Sequence, residues 1–212
     1  RAGIGFVDKD NRRFGQYSGF NEKGGYLLLD ADVVRRDDAT GTWLRFGGRN
    51  VGLDSRSLRF EHERQGNWGY FIDFGQTPRF EPYVPFTAVT GIGSSRLTVP
   101  TVSTPGVPQE LKTERKALGL GFDKHITGAW GVQVRFKNEE KDGARIFGRG
   151  TTTGSTFEFT PEPIDSTTRQ LEAIVNYGGE RLQLSGGYYG TMYENAFNGL
   201  FIAGGSPNLA GA

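Results

Sequence analysis

Three short clusters of polar residues have the types and spacing found in catalytic or ligand-binding sites. Glu61 and Glu63 flank His62 and would supply the paired carboxylates of general acid–base catalysis. Residues 8–11 (Asp-Lys-Asp-Asn) offer spaced oxygen ligands of the kind that bind calcium. Residues 91–95 (Gly-Ile-Gly-Ser-Ser) have the composition of a phosphate-binding loop. Each of these chemistries requires a particular backbone context.

None of the three clusters has that context. The two carboxylates alternate with His62 and Arg64 along a predicted strand, where a solvated or salt-bridged polar face explains them better than a substrate pocket. The calcium-like segment lacks the twelve-position pattern with a closing glutamate, and the glycine-rich segment has no strand before it and no helix after it. His62 and His125 are too far apart in sequence to suggest a metal site. The sequence therefore predicts no catalytic residue, no metal site, no cofactor bound by this chain and no enzymatic activity.

The composition indicates an extended β architecture. Only 35% of the 212 residues are hydrophobic, yet the chain has 33 glycines, 16 phenylalanines, 8 tyrosines and 3 tryptophans. Aromatic residues favour strands, and glycines cluster at turns and close backbone approaches. The net charge of +1 gives no general attraction to nucleic acid. The chain has no cysteine and hence no covalent haem-attachment motif, and it has no apolar run long enough for a transmembrane helix.

Alternating segments predict strands with one apolar and one polar face. In residues 68–74 and 130–137 every second residue is aromatic or aliphatic, and most of the residues between them are glycine, polar or charged. A strand of this kind is typical of a wall between lipid and a polar interior. Aromatic residues near strand ends are predicted to form interfacial belts; they are Trp43, Trp68, Trp130, Tyr177 and Tyr188.

Strand length and connection length predict the fold class. Most predicted strands have about nine to thirteen residues, longer than the five or six usual in soluble domains and long enough to cross a bilayer when tilted. Tight turns, of the kind that lie on the periplasmic side of outer-membrane barrels, alternate with long loops at residues 75–110 and 138–165. We therefore expect an all-β, antiparallel transmembrane β-barrel over residues 22–212. The predicted strands are residues 25–36, 41–49, 54–64, 67–75, 111–123, 129–138, 166–177 and 181–193.

The polar faces of these strands are expected to line the lumen. Charges there must pair with one another, meet water or contact a polar partner inside the barrel. The candidate lumen-facing residues are Arg45, Arg59, Glu61, Glu63, Asp73, Gln133, Arg135 and Lys137. Residues 1–21 are predicted to lie on the periplasmic side or in the barrel mouth, where Phe14, Tyr17 and Phe20 are candidate docking anchors. An empty pore and an occupied sheath would have the same composition.

Several collinear motifs resemble a known family. Residues 54–80 carry D-S-R, R-Q-G and P-R-F motifs along one predicted hairpin. The other segments are RFGQYSGF (13–20), GIGSSRLTVP (91–100), LKTERK (111–116), PEPID (161–165) and LSGGYYG (184–190). Together they resemble the MtrB/PioB family of decahaem-associated outer-membrane β-barrel proteins. Members of that family are much longer, so we expect about eight strands that form an open, curved part of a larger barrel.

The resemblance implies a role in extracellular electron transfer across the outer membrane of a Gram-negative bacterium. It implies a barrel that sheathes and positions a multihaem c-type cytochrome, with the haem carried by that partner, and an outer-surface cytochrome as a second candidate partner. A sheath has a physical purpose, because the hydrocarbon core is about 30 Å thick and too wide for a single tunnelling step. The alternatives are a passive diffusion porin and a soluble β-sandwich binding module.

Overall fold

The structure is a computed structural model that describes residues 1–101, 104–150 and 157–204. Within these ranges the chain forms fourteen strands, and no helix is long and apolar enough to cross a membrane. The strands are β1 (Ala2–Val7), β2 (Gly24–Leu29), β3 (Ala31–Asp37), β4 (Thr42–Arg49), β5 (Ser57–Arg64), β6 (Trp68–Phe80), β7 (Phe86–Thr87), β8 (Arg96–Val99), β9 (Val107–Pro108), β10 (Lys112–Thr127), β11 (Trp130–Gly150), β12 (Phe157–Gly178), β13 (Gln183–Asn195) and β14 (Phe201–Gly204).

Eight of the strands form one antiparallel sheet in the order β13-β12-β11-β10-β6-β5-β4-β3. Each strand pairs with its neighbour in sequence, except that β6 pairs with β10 because the short strands β7, β8 and β9 lie in the connection between them. The eight strands correspond to the eight that the sequence predicts, and the all-β antiparallel fold is confirmed. In the described part of the chain β3 and β13 are the sheet edges, so the sheet is open.

The predicted loop at residues 138–165 is wrong for most of its length. β11 and β12 pair in continuous register up to Gly150 and Phe157, and together they form a long hairpin. The prediction relied on apolar alternation, whereas main-chain hydrogen bonds hold this part of the hairpin and need no apolar face. β11 stays paired with β10 up to Gly143, and beyond that residue the hairpin extends past β10. Residues 151–156, also in the predicted loop, lie outside the described residues.

Two other predicted boundaries also change. The predicted strand at residues 25–36 is two strands, β2 in a pair with β1 and β3 in the large sheet, because the chain changes partner at Asp30. Asp30 still exchanges main-chain hydrogen bonds with Arg1, and its carboxylate accepts a further hydrogen bond from the Asn50 amide at 2.9 Å. The predicted loop at residues 75–110 begins later than expected, since β6 runs to Phe80, and it contains β7, β8 and β9.

The two ends of the sheet differ. Short turns join β3 to β4, β5 to β6, β10 to β11 and β12 to β13 at one end, which we call the tight-turn end. The connection from β6 to β10 leaves from the opposite, long-connection end. The N-terminal segment also lies there, since the Phe80 amide donates to the Gln16 carbonyl at 2.9 Å and the Ser55 hydroxyl donates to the Ser18 carbonyl at 3.0 Å. The N-terminal segment and the tight turns therefore lie at opposite ends of the sheet and cannot both be periplasmic. The position of the segment in the barrel mouth stays a prediction.

The main cluster of buried apolar side chains lies in the connections. Val89, Leu97 and Val99 are buried and pack against Leu200 and Ile202, which are partly buried, and we call these five residues the connection cluster. β8 and β14 pair in parallel and bring the two parts of the cluster together. Among the described residues of the eight-stranded sheet, the buried apolar side chains are Pro78, Phe80, Pro161 and Pro163, and all four lie near the long-connection end. The rest of the described sheet has no buried apolar side chain on either face.

Candidate functional site

The outer face of the sheet is an exposed apolar surface. Ile72 is 45% exposed and Phe122 47% exposed, although both lie in the middle of the sheet. Cross-strand register collects side chains of this kind into rows, because alternate residues of each strand point to the same face. One row contains Leu44, His62, Tyr70, Phe122, Val134, Ala173 and Tyr188, and the next contains Phe46, Phe60, Ile72, Leu120, Phe136 and Leu171.

Aromatic residues border this apolar surface near the tight turns. Trp130 and Tyr177 are register partners with ring centroids 4.9 Å apart, and Trp68 stacks beside Tyr70 at 6.0 Å. The predicted belt is wrong for Trp43, which shares the polar face with its register partner Glu63. Its ring contacts two guanidinium groups there, those of Arg36 at 4.7 Å and Arg45 at 4.9 Å. A position near a strand end does not show which face of the sheet a side chain occupies, whereas cross-strand register does.

The opposite, polar face contains all eight of the predicted lumen-facing residues. Register places them in three neighbouring rows across the sheet. Each row also contains at least one glycine, from β4, β6 or β10. The rows are Trp43-Glu63-Gly69-Asp123-Gln133-Ile174, Arg45-Glu61-Phe71-Gly121-Arg135-Glu172 and Gly47-Arg59-Asp73-Gly119-Lys137-Gln170. We call this surface the inner face.

On the β4–β6 part of the inner face, the charges pair with one another. Arg45 lies 3.6 Å from a carboxylate oxygen of Glu61 and 3.5 Å from one of Glu63. Arg59 bridges Glu61 at 2.6 Å and Asp73 at 3.3 Å. These five residues form one connected network, which we call the paired network. Its side chains are between 30% and 47% exposed, so each pair contributes little to stability alone.

Glycines of β10 leave a depression beside this network. A Cβ atom at Gly119 would lie 2.5 Å from Asp73 Oδ2, and one at Gly121 would overlap the Phe71 ring. The side chains of Phe71 and Asp73 therefore lie across β10, and the Arg59 guanidinium stacks over the Phe71 ring at 4.3 Å. The signal in the sequence is Gly119-x-Gly121 on the polar face of a strand, which indicates space for a neighbouring side chain.

Charges on the β11–β12 part of the inner face are less fully paired. Lys137 contacts Glu139 at 3.0 Å, whereas Arg135 and its register partner Glu172 form no ion pair within the described residues. Arg135 and Lys137 line a shallow pocket above Gly119. The eight predicted residues thus form two groups. The five residues of the paired network form ion pairs with one another, whereas Gln133, Arg135 and Lys137 retain hydrogen-bonding capacity.

The structure separates the three predicted N-terminal anchors. Phe20 is half-buried and packs edge-to-face on Tyr26 with ring centroids 4.9 Å apart, so it holds the segment to its own chain. Phe14 is 70% exposed and Tyr17 is 56% exposed. Tyr17 lies beside Arg79, Arg115 and Lys141, none of which is among the predicted site residues, because Arg79 and Lys141 fall in the predicted loops.

Comparison with known proteins agrees with this architecture. The family model for the outer membrane beta-barrel porin MtrB/PioB matches residues 6–211. The chain is also 27% identical over 213 residues to the outer membrane protein MtrB of Shewanella baltica (strain OS185). The match covers 94% of this chain and 30% of that protein, so the chain spans less than a third of the length of this curated relative.

Proposed function

Because this chain belongs to the MtrB/PioB family of outer-membrane β-barrel porins, we propose that it forms part of a barrel wall that encloses and positions a multihaem c-type cytochrome in the outer membrane. The partner would carry the haem and relay electrons across the membrane in extracellular electron transfer. The chain would contribute lipid contact outside and polar contact inside. An outer-surface cytochrome is a second proposed partner. The family is one of porin-like barrels and not of enzymes.

The observation that carries this proposal is the contrast between the two faces of a single sheet. The outer face exposes aromatic and aliphatic side chains that lipid would cover, while the inner face carries charges of both signs. A polar face of this kind is expensive to leave dry, so it must meet water or a polar partner. On this inner face, Arg135 and Glu172 lie side by side and remain available for contacts outside the chain.

The direct test is isolation of the outer-membrane protein from native membranes in mild detergent, followed by size-exclusion chromatography. We expect a Soret absorption band that co-elutes with the barrel and is lost when the complex is stripped with denaturant. A barrel that elutes without haem absorbance from cells that express multihaem cytochromes would contradict the sheath. Haem staining of the stripped fraction would identify the partner chain.

The alternative is a passive diffusion porin, which the porin description of the family favours. The two functions differ in what the isolated barrel does. A diffusion porin would conduct ions in a planar bilayer with or without the haem protein. A sheath would conduct only after the haem protein has been removed, because the partner fills its lumen.

A further inference from the structure

Three cations lie together on the inner face at the long-connection end. Arg79 is on β6, Arg115 on β10 and Lys141 on β11. Arg115 and Lys141 are direct register partners, and Arg79 is paired with Thr113, two residues from Arg115. With Tyr17 the three side chains line one shallow pocket. We call Arg79, Arg115 and Lys141 the basic cluster.

The basic cluster has too few carboxylates to neutralise it. Arg115 contacts Glu139 at 3.2 Å, but the same carboxylate group also contacts Lys137 at 3.0 Å. Neither Arg79 nor Lys141 forms an ion pair within the described residues. The positions that continue these rows on β12 and β13 are uncharged; they are Ile164, Ser166 and Asn195.

An acidic residue that borders the same pocket is already engaged. Glu114 also borders the pocket, but it accepts a hydrogen bond from Gln76 at 2.7 Å and forms an ion pair with Lys116 at 2.7 Å. Like charges directly opposite each other on adjacent strands destabilise a sheet. Repulsion between Arg115 and Lys141 therefore lowers the stability of the sheet, and an anion bound between them would reduce that repulsion.

The tight-turn end of the inner face has the opposite character. Glu63 and Asp123 lie in one register row with Gly69 between them and Gln133 beyond. Asp123 forms no ion pair with any residue that the structure describes. Among the described residues, the inner face therefore has two cations without an ion pair at the long-connection end, Arg79 and Lys141, and one carboxylate without an ion pair at the tight-turn end, that of Asp123, so the unpaired charge changes sign along the strands.

We infer that the basic cluster is a docking site for an acidic surface of the enclosed partner protein, and that it fixes which way round the partner sits. This inference deepens the proposed function and depends on it. Arginine binds carboxylates bidentately, and exclusion of water at an interface strengthens that contact. Exposed Tyr17 supplies an aromatic contact beside the cations, and tyrosine and arginine are the residue types enriched at binding hot spots. The partner's carboxylate-rich side faces the long-connection end.

The test uses the complete outer-membrane protein in complex with its co-purifying haem protein. The double variant Arg79→Gln with Lys141→Gln removes the two unpaired cations. A matched control, Arg36→Gln with Arg181→Gln, removes two cations from the tight-turn end. Immobilised complexes are washed across a salt series, and released haem is measured by its Soret absorbance. We expect about tenfold weaker retention of the cluster variant near 0.15 M salt, and convergence with wild type near 1 M, where screening is nearly complete.

The outcomes separate this inference from the proposed function. If wild type carries no haem protein, the proposed function fails. If haem is retained but the cluster variant follows the control at every salt concentration, the docking site is wrong and the sheath remains. Heat-dependent gel mobility verifies that each barrel is folded. If the double variant does not fold, the single variant Lys141→Glu takes its place, and unchanged retention in that variant overturns the inference.

Discussion

The outer face of the eight-stranded sheet and the connection cluster use the same apolar residue types in opposite ways. Leu97 is 1% exposed and Val99 is 8% exposed, packed by neighbouring protein side chains. On the sheet, Leu118 is 40% exposed and Leu120 39% exposed. The difference indicates that apolar side chains in this molecule face two media: protein in the connections and, as expected for an outer-membrane β-barrel, lipid on the sheet. The two regions should respond differently to substitution.

The largest expected effect is in the connection cluster. Leu97→Ala removes a fully buried side chain and leaves a cavity, which costs about 2 to 5 kcal/mol in well-packed cores. Leu120→Ala on the outer face is the matched control, and it should cost only about 0.5 kcal/mol, because lipid fills the space and leucine contributes little per residue to insertion. Amide exchange in β8 should accelerate in the first variant. Equal costs would mean that the two regions are packed alike.

The next effect distinguishes the two faces of the sheet. Val134 lies on the outer face between Phe122 and Ala173, and its neighbour Gln133 points to the inner face beside Asp123. Val134→Arg should cost about 2 to 4 kcal/mol if it lies at the bilayer midplane. Gln133→Arg should cost little, since a carboxylate is near. Denaturant titration of the barrel in lipid vesicles measures both; a larger penalty for Gln133→Arg would invert the assignment of the faces.

Alternation predicted the sheet well because burial against lipid imposes it. Every second residue of these strands, such as Ile72 and Val134, must be apolar. The sequence therefore predicts where the strands are and which residues share a face. The β11–β12 hairpin beyond Asn138 escaped prediction because main-chain hydrogen bonds hold it and no face of it requires apolar residues. The basic cluster was missed for the same reason, since Arg79 and Lys141 lie beyond the apolar alternation.

Pairing within the inner face could not be predicted at all. Residue types identified both Arg59 and Arg135 as lumen-facing, but only cross-strand register shows that Arg59 faces two carboxylates and that Arg135 forms no ion pair among the described residues. Register depends on turn lengths and bulges, which composition does not determine.

A third prediction concerns the depression on the inner face. A methyl group at Gly121 would overlap the Phe71 ring and displace it from beneath Arg59, so Gly121→Ala should cost about 1 to 3 kcal/mol, as for overpacked sites. Gly75→Ala is the matched control, because a Cβ at Gly75 on the same face meets no atom within 4 Å. Denaturant titration in vesicles compares the two. A cost for Gly75→Ala equal to that for Gly121→Ala would place the effect in the backbone and not in the Phe71 contact.

A smaller difference should separate Arg59 from Arg135. Arg59→Gln leaves Glu61 and Asp73 without this partner and should cost about 0.5 to 1 kcal/mol, the upper range for exposed pairs. Arg135→Gln should leave barrel stability unchanged and weaken haem-protein retention at low salt. Vesicle titrations at low and high salt measure the first effect, and a salt series on the complex measures the second. Identical stability in both variants would show that the paired network contributes nothing measurable.

The smallest effect is a pH dependence at the tight-turn end, outside the apolar surface. The Thr40 hydroxyl donates to the Asp37 carboxylate at 2.9 Å and the Ala39 amide donates at 3.0 Å, and both bonds hold the pKa of Asp37 below its usual value. Because the folded-state pKa is lowered, the stabilisation is present above the unfolded value of about 3.9 and disappears as the pH falls through the folded value. The connection cluster, which is apolar, should show no such dependence. The protection factor of the Ala39 amide, which is its exchange rate relative to an unstructured chain at the same pH, should therefore fall more in wild type than in Asp37→Asn between about pH 6 and pH 3. A parallel response in both proteins would show that this carboxylate does not hold the turn.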